Sequence, residues 1–197
     1  VPANTEIILI GTNKITATSA NALCAHNGTL KIIGDGSLEV HALAPNITDY
    51  AIGTNIGGNI DIDITGALTV NGNIRANDGA LSLQSGDDIF VTGSVYGKGS
   101  ITATAGKSLS ITNTSNTAVF ASSCTEVSLA AQKGNLTVSG TGSSDAYGIN
   151  GSWNKTALKL HASGNVSVTG TKYSVQGKTL ELSGTIPEGS TLTADFT

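Results

Sequence analysis

GALSLQSGDDIFVTGSV, residues 79–95, carries the rule by which the chain is built. Leu81 and Leu83 alternate with Ser82 and Gln84, Gly86-Asp87-Asp88 interrupts, and Ile89 and Val91 then alternate with Phe90 and Thr92 before Gly93. An apolar residue at every second position is the period of a strand with one buried face. Gly, Asp and Asn tolerate the positive φ and tight reversals that separate short strands. The 3.6-residue spacing of a helix is absent from this stretch.

The same pattern extends in both directions. Towards the N-terminus it gives NIRAN (73–77), then YAIGT, NIDID and ALTVN, then ALCAH, TLKII and SLEVH. Towards the C-terminus come SVYGK, SITAT and SLSIT; TAVFA, EVSLA and NLTVS; AYGIN, ALKLH and NVSVT; and KYSVQ, TLELS and TLTAD. Twenty-one runs thus form seven triplets, and EIILI with KITAT before Ala22 reads as the last two-thirds of an earlier one. The first apolar residue of each second strand forms the column Leu30, Ile60, Leu81, Ile101, Val127, Leu158, Leu180; the third strands give Leu38, Leu68, Ile89, Leu109, Leu136, Val166, Leu192. A second third-strand column runs Val40, Val70, Val91, Ile111, Val138, Val168, Ala194.

A period of roughly 20 to 30 residues marks stacked units, none of which buries its apolar face alone. The expectation is one all-β domain over residues 1–197: a single-stranded right-handed parallel β-helix with three short strands per turn. Its seven to eight turns, at about 4.8 Å each, make a rod of roughly 35 Å. The chain reads as starting mid-coil or after a removed flanking segment. A two-sheet sandwich of hairpins is the rival, but it has no reason to keep three-run phase over seven cycles.

Composition fits inward aliphatic ladders: 39% of residues are hydrophobic, 4% aromatic and 12% charged. The net charge is −4 and the ten basic residues are scattered, so no nucleic-acid footprint is expected. No apolar stretch approaches the 18 or so residues of a membrane-spanning helix. Cys24 aligns with Ile52, Phe120, Ile149 and Val175 and reads as core, while Cys124 lies at a turn and reads as open to solvent. About four strand spacings separate them, roughly 19 Å, too far for a disulfide, so both are expected as free thiols.

Departures from the repeat are the candidates for function. Trp153, the sole tryptophan, lies in an insertion with Asn150, Asn154 and Asp145 nearby, an exposed ring with amides of the kind that sugars use. Phe90 interrupts a hydroxyl-rich outward face formed by Thr69, Ser110, Thr137 and Ser167 and offers a ring on which a sugar could stack. Lys31 beside Asp61, and Lys159 beside Glu181, read as surface charge pairs. Asp61 and Asp63 share a face, but calcium needs six to eight oxygens, so no metal and no other cofactor is expected. His26, His41 and His161 fall in different turns, giving neither ligand spacing nor a catalytic triad. Arg75, the only arginine, reads as a solvated edge residue, and Tyr50, Tyr147 and Tyr173 as one ladder.

At GALTVNG (66–72), GALSLQSGDDIFVTGSV, GKSLSITN (106–113), GNLTVSG (134–140) and GNVSVTG (164–170) the chain resembles the repeats of bacterial surface proteins with right-handed parallel β-helices, among them haemagglutinin-type adhesins and β-helical carbohydrate-binding modules. The resemblance implies an exported protein at the cell surface or outside the cell. The expected function is therefore non-catalytic adhesion or glycan binding, with a polysaccharide or a host or cell-surface glycoconjugate as partner. A polysaccharide lyase or hydrolase on the same coil, a structural stalk and an ice-binding protein are the alternatives.

Overall fold

The computed structural model describes residues 1–18, 21–42, 50–121, 123–152 and 154–196. Among them are 22 strands and no helix. Every strand pairing is parallel, and through residue 131 each strand pairs with the third one before it and the third one after it. Three ladders result. The first-strand ladder runs from Leu23–Asn27 to Ala194–Asp195, and the second from Thr5–Leu9 to Thr179–Thr185. The third starts at Thr12–Ala17 and ends in Ala157–Gly170, a strand of 14 residues that serves both the second and third ladders and joins them into one 14-stranded sheet.

The aliphatic columns stand in register as the repeat dictates. Leu30 pairs with Ile60, Ile60 with Leu81, Leu81 with Ile101, and Val127 with Leu158; Leu38, Leu68, Ile89, Leu109, Leu136 and Val166 follow one another in the third ladder. Thr5–Leu9 and Thr12–Ala17 pair with Leu30–Gly34 and Ser37–Ala42, as the reading of a partial earlier triplet requires. Inward residues of all three ladders meet in one buried cluster from Leu9 to Val175. Each strand is too short to hide its own apolar face, and stacking like on like is what removes those side chains from water.

The corners explain the separators. An Asn or Asp side chain at the start of one strand accepts the backbone N–H of the strand stacked on it: Asn59 Oδ1 from Ala80 N at 2.8 Å, Asp88 Oδ1 from Ser108 N at 2.8 Å, Asn135 Oδ1 from Asn165 N at 2.9 Å. A donor with no ladder partner is thereby satisfied. At Gly106 a Cβ would run into the backbone of Gly86, 2.6 Å from its carbonyl carbon, so only glycine lets the rows approach there.

Three expectations are corrected: Cys24 as core, Cys124 as open to solvent, and the place of the last run. The first-strand column is Leu23, Ile52, Ile74, Val95, Val119, Ile149 and Val175, which places Cys24 opposite Gly53 and Phe120 opposite Asn150, both outward. A one-residue shift reverses every face of a strand. Cys24 is accordingly half-buried, whereas Cys124 is fully buried with its thiol donating to the Gly97 carbonyl at 3.1 Å; both are free. The last run also changes ladder. Ala194 pairs with Val175, so this run belongs to the first-strand ladder rather than extending the Val166 and Val168 columns. A turn closed by Ser190 N to Pro187 O at 3.1 Å redirects the chain, and Leu192 packs half-buried against the core near Val166 and Leu182.

No helix among the described residues is long and apolar enough to cross a membrane.

Candidate binding groove on the first-strand face

Outward positions of the first-strand ladder form a single column: Gly53, Arg75, Tyr96, Phe120, Asn150, Gln176, Asp195. Beside it, the register shifts between Tyr50 and Ile52 and swings the Tyr50 ring over the column. Gly53 makes room, since a Cβ there would lie 2.6 Å from Tyr50 Cδ2. The Arg75 guanidinium then lies between two rings, its Cζ 5.3 Å from the Tyr50 centroid and 4.5 Å from that of Tyr96. Tyr96 in turn stacks on Phe120, centroids 5.6 Å apart and planes inclined by 20°. Rows one strand spacing apart bring flat groups to stacking distance with no other adjustment.

These side chains line a groove of about 200 Å³ with Asn73, Ser94, Asn116 and Thr117 as its polar wall. The wall is held in place by its own bonds. Ser94 Oγ donates to the Thr117 carbonyl at 2.6 Å and accepts from Asn113 Nδ2 at 2.8 Å, and Asn116 Oδ1 accepts from Thr117 N at 2.8 Å. Arg75 is less satisfied. Its Nε is buried without a hydrogen-bond partner, and Nη2 reaches Asn77 Oδ1 only at 3.5 Å. Among the described residues no carboxylate pairs with it, while Lys14, Lys31, Lys98, Lys107, Lys159 and Lys172 each have one. The reading of Arg75 as a solvated edge residue is thus replaced by a half-buried cation clamped between aromatic faces.

The residues singled out from sequence are distributed over two faces. Asn150 follows Phe120 directly in the groove's column. Asp145 is exposed and forms an ion pair at 3.2 Å with Lys172, whose ammonium lies 5.7 Å from the Tyr147 ring centroid. The hydrogen bond to Asp145 raises the Lys172 pKa above its ordinary value. Asn154 is exposed, its Oδ1 accepting from Ser152 Oγ at 2.9 Å. Trp153 lies outside the described residues. Phe90, 43% exposed, stands on the third-strand face between Thr69 and Ser110. Tyr147 and Tyr173 do pair, rings 6.0 Å apart, but Tyr50 leaves that ladder for Arg75.

Several charged side chains elsewhere take structural partners. Lys31 and Asp61 are neighbours in register, yet the lysine bonds Glu6 at 2.7 Å; likewise Lys159 bonds Glu126 at 2.6 Å rather than Glu181. Asp87 pairs with Lys107 at 2.8 Å, which holds its carboxyl below the usual range. His41 contacts Glu39 at 2.5 Å and Asn71 at 3.0 Å. Among the described residues no group of three or more His, Cys, Asp or Glu side chains is placed to hold a metal ion.

Arg75, Tyr96 and Phe120 are the residues that reading the sequence missed. Their steps of 21 and 24 residues match the repeat, so aligning first strands on Ile74, Val95 and Val119 would have put them in one column. Compared with protein-family models, with curated proteins and with solved structures, the chain matches none.

Proposed function

We propose that this chain is a non-catalytic glycan-binding module, built as a right-handed parallel β-helix with three strands per turn and displayed as a secreted or cell-surface bacterial adhesin. The observation that carries the reading is the groove in which Tyr50, Arg75, Tyr96 and Phe120 stack beside a wall of amides and hydroxyls. A pyranose has an apolar C–H face and a rim of hydroxyls, and aromatic rings flanked by fixed polar groups complement both. Pairing of each strand through residue 131 with its third neighbour supports three strands per turn, and the handedness follows the general rule for parallel crossovers. Loops and outward positions on a rigid scaffold are where recognition usually resides.

The test is a glycan array with pull-down on insoluble polysaccharides, using the wild type, Tyr96→Ala and Phe90→Ala. Binding to at least one glycan class is expected, weakened about tenfold or more by Tyr96→Ala through loss of roughly 1.4 kcal/mol of stacking. Phe90→Ala, on the other face, should leave it intact. Absence of any bound glycan, or full retention after Tyr96→Ala, refutes the proposal.

A further inference from the structure

We infer that the groove accepts the carboxylate of an acidic sugar, with the Arg75 guanidinium as the anion-binding group. This deepens the glycan reading and rests on it. The Arg75 Cζ lies over both the Tyr50 and the Tyr96 ring, so two aromatic faces hold the guanidinium in the groove without using its N–H donors. A carboxylate meets a guanidinium edge in plane through two parallel hydrogen bonds, which an ammonium cannot reproduce. The guanidinium is under-satisfied in the structure: its buried Nε has no partner, and Nη2, on the edge left to a ligand, has only one long contact. Six lysines are engaged in ion pairs, and of the basic side chains left without a carboxylate among the described residues, Lys133, Lys155 and Lys178 are exposed while Arg75 is half-buried. Ser94 and Asn116 on the groove wall supply donors and acceptors for ring hydroxyls.

The experiment compares uronate-bearing and sialate-bearing oligosaccharides with their carboxyl-reduced, neutral counterparts by isothermal titration calorimetry, for the wild type, Arg75→Gln and Arg75→Lys. The acid form is expected to bind the wild type at least tenfold more tightly than its reduced form. Arg75→Gln should abolish that preference, and Arg75→Lys should keep only part of it. Equal affinity for acid and reduced sugars, or a preference that survives Arg75→Gln, overturns the inference while leaving glycan binding in place. No binding of either form overturns both readings. Circular dichroism melts of each variant confirm folding, and if Arg75→Gln does not fold, the Arg75→Lys preference decides alone: undiminished, it overturns the inference.

Discussion

Alkylation of the two cysteines discriminates between the inward and outward faces assigned here. Cys124 is fully buried, its thiol bonded to the Gly97 carbonyl, and burial pushes its pKa up from 9.0 to about 11. At pH 8 its thiolate fraction is then about 0.001, against about 0.1 for an ordinary thiol, a roughly 100-fold loss of reactive species. Access adds a second factor, because the reagent must wait for local opening of the core. Cys24 points outward, half-buried, with its thiol donating to Asn55 Oδ1 at 3.1 Å, and desolvation raises its pKa as well, partly offset by the nearby N-terminal amine. Native protein treated with iodoacetamide at pH 8 and mapped by mass spectrometry should therefore be modified at Cys24 at least 100-fold faster than at Cys124. In denaturant the two rates should converge. Equal native rates, or faster modification of Cys124, would refute the register of the first-strand ladder. The same burial makes a pH prediction. A folded pKa above the unfolded one stabilises the protein fully below pH 9, and that contribution, on the order of 2 kcal/mol, is lost as pH rises through about 11.

Three further substitutions probe the stack. Ile62 is fully buried between Ile32 and Leu83 in register, so Ile62→Ala removes three carbons and leaves a cavity; a loss of about 3 kcal/mol is expected in equilibrium denaturation, whereas the outward Asp61→Ala should stay within about 0.5 kcal/mol. Gly106→Ala forces a methyl group against the Gly86 backbone and should cost about 1 to 3 kcal/mol despite its small size, measured as a lowered midpoint in the same assay.

The second and third strands were legible because their runs alternate over four or more residues, and each column is confirmed by several turns. The first strands were harder. Val119–Ala121 is three residues long and apolar throughout, as VFA, so alternation there cannot say which side faces in. Only pairing with Val95 and Ile149 turns Val119 inward and releases Phe120 to the groove. The last run was misplaced for a related reason: counting in threes assumes no strand is skipped, and the turn at Pro187–Ser190 skips one. The groove itself was hidden because it depends on stacking between residues 21 to 25 positions apart and on a register shift at Tyr50 that no local pattern announces. Charged partners were likewise placed in the right rows but the wrong pairs, since a long lysine side chain chooses among several neighbours that register alone brings near.

The ladders also fix how the molecule answers a pull. Hydrogen bonds between stacked strands point along the direction in which rows accumulate. Tension applied through the two ends therefore opens rows one at a time, the outermost, with a neighbour on one side only, first. Ile60 and Leu81 stack 21 residues apart, so each such row, once opened, releases about 70 Å of extended chain. A stack of this design yields in steps, while the rows behind the opening front remain folded.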